Sequence, residues 1–297
     1  MANLPNISLA DIQSFTEYLK GCRRITALVG AGLSAPSGLP TFRGAGGLWR
    51  KYRGSSLATP SAFNENPGLV WQFYSHRRHL ALEAEPNKAH YALAELARKN
   101  RDFITISQNV DGLSPRAQHP PRQLYLLHGS LFDVKCNEAS CDYTRQNDFT
   151  DPIVPALAIP QKGLNLPASR ENEVDISDVA NSVPDLEIAD LPQCPKCDGL
   201  LRPGVVWYEE CLPSNIIDAV EEWFDEGYID LMLVIGTSLS VSSASHYIDT
   251  ARHAGARVAV INMDAEAGDV LKYGDWFFQG DAAVLVPELL KGIIGKI

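Results

Sequence analysis

The sequence predicts an α/β fold: a doubly wound parallel sheet with helices on both faces, interrupted by a small inserted module. Short apolar runs alternate with amphipathic helical stretches in the first and last thirds of the chain, which is typical of βαβ units. Between His128 and Val206 this alternation stops, and cysteine pairs, Pro and Gly replace it. The middle of the chain therefore belongs to a separate, less regular structure.

Periodicity and helix-end signals locate the elements on either side of the insert. We predict helices at residues 8–21, 87–100, 213–227, 243–255 and 281–293, with a further helix after Pro67. Strands are predicted at residues 25–29, 103–107, 124–127, 230–235, 257–262 and 276–279. Residues 1–130 and 203–297 then form a Rossmann-like nucleotide-binding domain, and residues 131–202 form the inserted module.

The composition is that of a globular protein. A chain of 297 residues with 45% hydrophobic residues is long enough for a large packed domain with an insert. Its net charge of -10 argues against a surface built for nucleic-acid phosphates. Residues 171–190 hold seven acids and no Lys or Arg, and we expect residues 161–190 to form an acidic loop.

The chain shows no membrane or secretion pattern. No apolar run approaches the roughly 20 residues that cross a bilayer, and the N-terminal residues lack the features of a secretory signal. The six Cys do not look like the disulfide framework of a small secreted domain. We therefore expect an intracellular monomer, cytoplasmic, mitochondrial or nuclear, without direct nucleic-acid or membrane partners.

A glycine-rich turn follows the first strand directly. Gly30-Ala31-Gly32-Leu33-Ser34-Ala35 is a GxGxxA form of the dinucleotide fingerprint. Glycines at such a turn let the backbone approach a pyrophosphate at a helix N-terminus. The alternative is a tight turn that any α/β protein could contain. The loop that follows, residues 37–44 (SGLPTFRG), is rich in Gly and Pro, which favours a segment that covers a cofactor.

Polar residues also follow the next two strands. Gln108, Asn109 and Asp111 come directly after the second strand, and His128 follows the third. The carboxyl ends of parallel strands face the crevice where ligands bind in such sheets. A neutral imidazole with an ordinary pKa of ~6.5 can accept a proton at working pH. The alternatives are a helix cap for Asp111 and a structural role for His128.

Two cysteine pairs lie in the insert. Cys136 and Cys141 are separated by four residues, and Cys194 and Cys197 by two. Four thiolates suit tetrahedral zinc and leave no position for a water, so the sequence predicts one structural zinc ion. The alternative is four unrelated thiols.

These motifs resemble those of the sirtuin family in order and approximate spacing, over roughly residues 25–283. They are GAGLSAPSGLPTFRG, QNVD, HGS, the two cysteine pairs, VVWYEE and GTS. The resemblance implies an NAD-dependent protein-lysine deacylase. In that reaction nicotinamide leaves, the acyl oxygen attacks the ribose, and the products are nicotinamide, free lysine and O-acyl-ADP-ribose.

The resemblance also implies roles for individual residues. His128 would be the general base that activates the ribose hydroxyls, and Asn109 would position the ribose and a water. Asp111 would hold the nicotinamide carboxamide. The other positions implied to contact the cofactor are Gly30, Ala31, Gly32, Ser34, Ala35, Pro40, Thr41, Phe42, Arg43, Trp49, Gln108, Val110, Gly236, Thr237, Ser238, Asn262, Asp264 and Ala282.

Val205, Val206, Trp207 and Tyr208 resemble the family's substrate-binding strand, where an acylated peptide adds backbone hydrogen bonds. The family segment then continues with glycine two residues after the tryptophan position. Here Glu209 takes its place, which puts the fine shape of the peptide cleft in doubt.

The helix after Pro67 carries Tyr74 and Arg77 on one face, three residues apart. A guanidinium can pair bidentately with a carboxylate while a phenol donates another hydrogen bond. The Tyr-x-x-Arg pattern, with the small Ala58 upstream, resembles the class III sirtuins, which remove succinyl, malonyl and glutaryl groups. We therefore expect an acidic acyl-lysine substrate. The alternatives are acetyl-lysine as substrate and, for the two side chains, an exposed Arg and a half-buried Tyr.

Two other functions compete with deacylation. One is a protein ADP-ribosyltransferase, and the other is a non-catalytic NAD sensor or interaction module. The presence of both His128 and Asn109 favours the deacylase.

Overall fold

The computed structural model describes residues 7–41, 47–162, 170–238 and 242–297, with the backbone alone for residues 170 and 242–245. The helices are α1 Leu9–Gly21, α2 Gly54–Leu57, α3 Pro60–Glu65, α4 Pro67–Glu83, α5 Lys88–Lys99, α6 Leu113–Arg116, α7 Ser214–Asp225, α8 Ser242–His253 and α9 Ala282–Ile294. The strands are β1 Ile25–Val29, β2 Leu48–Trp49, β3 Tyr52–Arg53, β4 Phe103–Ser107, β5 Leu124–Leu126, β6 Gly129–Cys136, β7 Thr144–Arg145, β8 Leu201–Val205, β9 Leu231–Ile235, β10 Arg257–Asn262 and β11 Trp276–Gln279.

The chain forms two compact units. The first contains Met1–Leu39, Ala84–His128 and Leu212–Ile297, and the second contains Pro40–Glu83 and Gly129–Cys211. The second unit is thus larger than the insert of residues 131–202 that the sequence led us to expect. Helix α4 belongs to it because Trp71 donates a hydrogen bond from Nε1 to the carbonyl of Leu201 at 2.9 Å, and no local pattern signals that contact.

The first unit is built on a six-stranded sheet in the order β11-β10-β9-β1-β4-β5, and every neighbouring pair is parallel. In chain order this is 3-2-1-4-5-6, the Rossmann arrangement. The order reverses between β1 and β9, where ligands bind in sheets of this topology. The predicted fold class is confirmed.

Alternate residues of the sheet serve two separate cores. Ile25, Ala27 and Val29 of β1 pack with residues of α1, α5 and α9, whereas Leu28 packs with residues of α7 and α8. β1 and β9 are buried along their whole length because helices cover both faces. For this reason the central strands of the sequence are continuous apolar runs without alternation.

The second unit contains a three-stranded antiparallel sheet, in the order β7-β6-β8, and a hairpin of β2 and β3. The buried Arg78 of α4 donates hydrogen bonds to the carbonyls of Leu131, Asp148 and Thr150. One guanidinium therefore satisfies three backbone acceptors that the irregular chain after β6 would otherwise leave unpaired.

This unit contains regular structure that was not predicted from the sequence. Strand β6 runs for eight residues from Gly129, where periodicity was expected to stop. Helices α2 and α3 have four and six residues, which is too short for a helical period to show. Of the four residues matched to a substrate-binding strand, only Val205 lies in one. No helix among the described residues is long and apolar enough to span a bilayer.

We expect Leu233→Ala to lower the free energy of unfolding by about 2–5 kcal/mol, because the side chain is 1% exposed in a close-packed core. Leu9→Ala is the matched control, since Leu9 is 58% exposed, and its change should stay within about 0.5 kcal/mol. Urea unfolding of the two variants measures the difference. Equal effects would contradict the placement of β9 at the centre of the sheet.

Candidate active site and metal centre

The turns after β1 and β9 touch at the carboxyl edge of the sheet. A Cβ built on Gly32 would lie 2.6 Å from the Cα of Gly236, and one on Gly30 would lie 2.8 Å from the Gly236 carbonyl oxygen. Gly236 also has a φ of +59°, in the left-handed region that favours glycine. Part of the glycine fingerprint therefore has a structural cause that the sequence analysis did not foresee, namely the close approach of two turns.

Gln108 links three neighbouring turns at this edge. Its Oε1 accepts a hydrogen bond from Thr237 Oγ1 at 2.8 Å, and its backbone carbonyl accepts one from His128 Nδ1 at 2.9 Å. Its Nε2 is buried and has no hydrogen-bond partner among the described residues. A buried amide donor left unpaired costs about 1–3 kcal/mol. An acceptor-rich ligand such as a dinucleotide would supply the missing partner, so the residues present fit such a group.

His128 is held as a neutral base. Because Nδ1 donates to the Gln108 carbonyl, Nε2 is the nitrogen that can accept a proton. Burial lowers the pKa of His128 below its ordinary value, against the hydrogen bond to Gln108, which raises it. The imidazole is therefore uncharged at neutral pH and fixed in one orientation, as a general base requires.

Ser34 and Asn109 share a second hydrogen-bonded group. Asn109 Nδ2 donates to the Gly30 carbonyl at 2.9 Å and to Ser34 Oγ at 3.3 Å. Ser34 Oγ also lies 3.3 Å from His90 Nε2. The Asn87 backbone N–H donates to His90 Nδ1 at 3.2 Å, so Nε2 carries the proton and donates to Ser34. Ser34 accepts twice, and its own proton is left for another acceptor.

His90 was not among the residues predicted to lie at the site. Burial lowers the pKa of His90 to about 4, against Asp111, which raises it, so the imidazole is neutral. His90 lies inside an amphipathic helix, where its spacing is that of a core residue. The available signal was Asn87 three residues earlier, since the two form the capping box that begins α5.

Several predicted cofactor contacts have structural partners of their own. Asp111 Oδ1 accepts the N–H of Leu113 at 2.9 Å, as the helix-cap alternative suggested. Asn262 Nδ2 donates to the Thr237 carbonyl at 2.9 Å, and Asp264 accepts the N–H of Glu266. Ala282 is buried in the first turn of α9. These side chains shape the carboxyl edge of the sheet, and their contacts with a cofactor stay predictions.

The predicted cofactor positions divide between the two units. Gly30, Ala31, Gly32, Ser34, Ala35, Gln108, Asn109, Val110, Asp111, His128, Gly236, Thr237, Ser238, Asn262, Asp264 and Ala282 belong to the first unit, and Pro40, Thr41 and Trp49 to the second. Phe42 and Arg43 lie outside the described residues. Trp49 is buried and donates a hydrogen bond from Nε1 to His76 Nδ1 at 3.2 Å.

In the second unit, Tyr74 and Arg77 face different neighbours. Tyr74 is 2% exposed, and its hydroxyl accepts a hydrogen bond from Trp207 Nε1 at 3.0 Å. Burial raises the pKa of Tyr74, and the charge of Arg77 opposes that rise most strongly. A neutral phenol therefore lies close to the Arg77 cation. The half-buried Tyr of the alternative interpretation is not observed.

Arg77 lines a cavity of about 470 Å³ in the second unit. His76 and His79 of α4 line the same cavity, as do Glu173 and Asp175 of the acidic segment. A hydrogen bond to Asp151 raises the pKa of His79 to about 9, so this imidazole is positively charged. The cavity wall therefore carries charges of both signs.

The four cysteines predicted to hold zinc lie together. Cys136 Sγ is 3.5 Å from Cys197 Sγ, Cys141 Sγ is 3.7 Å from Cys194 Sγ, and all four sulfurs lie within 4.8 Å of one another. Tetrahedral zinc with bonds of about 2.3 Å places its sulfurs ~3.8 Å apart. The residues fit a structural zinc ion, which all four thiolates would hold.

Comparison with known proteins agrees with this geometry. The Sir2 family model matches residues 30–243. A Candida albicans protein named NAD-dependent protein deacylase is 47% identical and covers 97% of this chain and 99% of its own. The chain belongs to the Sir2 family.

Other Sir2 relatives are similar over nearly the whole length. The Xenopus tropicalis protein named NAD-dependent protein deacylase sirtuin-5, mitochondrial, is 41% identical over 96% of this chain and 86% of its own. A solved structure of a Sir2 homolog–NAD complex has a TM-score of 0.72 at 33% identity, and covers 97% of this chain and 94% of that one. The resemblance drawn from the sequence motifs is confirmed.

Glu209 stands where the sirtuin pattern has glycine, and its φ is +73°. The adjacent Glu210 accepts two hydrogen bonds from Arg202, at 2.5 and 2.8 Å, and one from the Trp207 N–H at 2.8 Å. The Arg202 guanidinium also lies 3.4 Å from the centre of the Trp207 ring. These contacts hold the turn in the left-handed conformation although Glu209 carries a Cβ.

We expect Glu209→Gly to raise the free energy of unfolding by about 1 kcal/mol, because it removes the cost of a Cβ in the left-handed region. Glu187→Gly is the control. Its φ is -73°, so there the added chain entropy should lower stability by about 0.5–1 kcal/mol. Chemical unfolding measures the change in the free energy of unfolding for both variants, and the two changes should have opposite signs. A loss of stability in Glu209→Gly would refute backbone strain at Glu209.

We expect Cys194→Ser to reduce bound zinc from about one ion per chain to almost none, because a structural site needs all four thiolates. The thermal midpoint should fall with it. Cys211→Ser is the matched control, since Cys211 is exposed and lies outside the four-sulfur cluster. Metal analysis of the purified variants measures their zinc content. Full zinc content in Cys194→Ser would contradict the assignment of Cys194 as a zinc ligand.

Proposed function

We propose that this chain removes acyl groups from protein lysine, using NAD, and favours acyl groups that end in a carboxylate: succinyl, malonyl and glutaryl. It is an NAD-dependent protein deacylase of the Sir2 family. The observation that supports this most strongly is His128, a neutral, oriented base at the same sheet edge as the glycine turns and the unpaired Gln108 amide. The names of the relatives support the same activity.

Bound NAD supplies a ribose carbon with nicotinamide as its leaving group. The chain's own residues then have separable tasks. His128 Nε2 accepts a proton from a ribose hydroxyl, and the Gln108 carbonyl holds the imidazole during that transfer. Asn109 positions the ribose with its amide anchored on the Gly30 carbonyl. Ser34 accepts both of its hydrogen bonds, so its own proton would be available to an acceptor on the bound cofactor.

The acidic preference rests on Arg77. A guanidinium in a cavity wall can pair with a distal carboxylate that an acetyl group lacks. Tyr74 adds a neutral hydroxyl near that charge. Ala58, the small residue matched to the acyl pocket of class III sirtuins, is buried, and its carbonyl accepts the Tyr208 N–H at 2.9 Å. Its short side chain would leave room for a longer acyl chain. Relatives named sirtuin-5 support this branch of the family. Acetyl-lysine is the alternative substrate.

Acylated-lysine proteins are the proposed partners. A monomeric state, and the lack of nucleic-acid and membrane partners, stay predictions. Several relatives carry the word mitochondrial in their names, and we propose a mitochondrial or cytoplasmic location for this chain.

Incubating a panel of acylated peptides with NAD and the purified protein tests the proposal. We expect mass spectrometry to detect the free-lysine peptide, nicotinamide and O-acyl-ADP-ribose in equal amounts. ADP-ribose attached to protein without loss of the acyl group would favour the transferase. NAD binding without nicotinamide release from any peptide would refute the enzyme and favour the sensor.

We expect Arg77→Met to lower kcat/KM on a succinyl-lysine peptide by about ten- to a hundredfold, because a charge-assisted hydrogen bond contributes about 1.5–3 kcal/mol. The value on an acetyl-lysine peptide should change little. Arg53→Met, which removes an exposed arginine of β3, is the control and should leave both values unchanged. An unaltered succinyl preference in Arg77→Met would show that Arg77 is not the clamp.

The pH dependence follows from the lowered pKa of His128. The neutral form is the active base, so the rate of product formation should be constant above pH 6.5. It should fall by about tenfold per pH unit once the pH drops below the depressed pKa. Single-turnover assays at saturating NAD measure this fall in rate at low pH. His253→Gln is the control, because His253 is exposed. A midpoint above 6.5 would contradict the burial argument.

A further inference from the structure

His79 lies at the centre of three carboxylates in the second unit. Its Nδ1 is 2.6 Å from Asp151 Oδ2, and its Nε2 is 3.1 Å from Glu173 Oε2 and 3.7 Å from Glu83 Oε1. His79 and Glu83 are four residues apart on α4 and share a helical face. None of these four residues has a part in the proposed reaction, so the cluster calls for its own explanation.

The positions of the ligand atoms suit a small divalent cation. One atom each from His79, Glu83 and Glu173 lies within 4.8 Å of the other two. Around tetrahedral zinc, with bonds of about 2.0–2.1 Å to nitrogen and oxygen, neighbouring ligand atoms lie ~3.3 Å apart. The two separations from Nε2, 3.1 and 3.7 Å, fall on either side of this value. Each of these two separations differs from the tetrahedral spacing by only a few tenths of an ångström.

Asp151 occupies the outer position that metal-binding histidines need. A carboxylate on one ring nitrogen fixes the tautomer and directs the other nitrogen to the metal. Here Asp151 takes Nδ1, and Nε2 faces the two glutamates. The imidazole is thus already oriented for a ligand at Nε2.

Three carboxylates lie close together around one imidazole in this cluster. His79 and the three carboxylates are only 16% to 27% exposed, so water screens their charges weakly. A divalent cation at Nε2 would offset this concentration of negative charge.

We propose that His79, Glu83 and Glu173 bind one divalent transition-metal ion, of the zinc class, separately from the four-cysteine centre. A mixed imidazole and carboxylate set suits zinc and its first-row neighbours. All three residues line the 470 Å³ cavity, so the fourth position of the ion is open to water or to an anionic ligand. The ion would link the segment that contains Glu173 to helix α4, in the cavity wall that also contains Arg77.

The test uses protein that retains about one zinc ion in its cysteine centre, titrated with Zn²⁺ in competition with a chromogenic chelator. Wild type should bind one additional equivalent. Glu173→Gln and Glu83→Gln should each weaken the binding of this additional zinc ion at least tenfold, because each removes one of three ligands. Glu65→Gln, an exposed glutamate of α3, is the matched control and should bind like wild type.

A second measurement separates the two metal sites. Co²⁺ added to the same protein should give weak visible bands without the intense thiolate charge-transfer band of a cysteine site. Bound metal should raise the thermal midpoint of wild type by about 2 °C or more, but not that of the two variants. The proposal would be overturned if wild type bound no additional Zn²⁺, or if all variants bound it equally. The cluster would then be only an ion pair between His79 and its neighbouring carboxylates. Neither outcome depends on deacylase activity.

Discussion

The contact between the backbones of two turns underlies the organisation of the first unit. The turn after β1 and the turn after β9 approach so closely that no Cβ fits on Gly30, Gly32 or Gly236. The contact lies where the strand order reverses, and Thr237, the residue after Gly236, is hydrogen-bonded to Gln108. If these turns moved apart, Gln108 would lose its partner, and His128 would be tied to a less firmly held carbonyl.

Neutral histidines are a second shared feature of the first unit. Burial lowers the pKa of His90, His119 and His128. In each neutral ring the protonated nitrogen donates a hydrogen bond to an acceptor in the protein. His90 and His119 bond to Ser34 and Thr105, which lie in or beside the central strands. Only His128 combines a fixed Nδ1 with a position at the sheet's carboxyl edge. The same physical effect, desolvation, therefore keeps both the structural imidazoles and the proposed base neutral.

The second unit relies on arginine side chains that pair with backbone carbonyls and carboxylates. Arg78 satisfies backbone carbonyls, and Arg202 clamps Glu210 and covers the Trp207 ring. Trp207 in turn donates to the Tyr74 hydroxyl. This chain of contacts explains how Tyr74 can be buried without an unpaired hydroxyl, and how a non-glycine residue tolerates the left-handed turn at Glu209. Arg50 likewise donates to carbonyls of residues 176, 178 and 181. Arg50, Arg78 and Arg202 thus stabilise segments that lack regular structure.

The sequence by itself determined the parallel sheet, the glycine turn, the polar residues at strand ends and the four cysteines, because each of these depends on local periodicity or on spacing along the chain. β1, β4, β10 and β11 have the predicted bounds. Tertiary structure alone decided that α4 packs with the insert, that His90 supports Ser34 and Asn109, and that His79 meets Glu173. Those partners are separated by 56 to 130 residues, and side chains so far apart in sequence leave no local pattern from which their contact could be predicted.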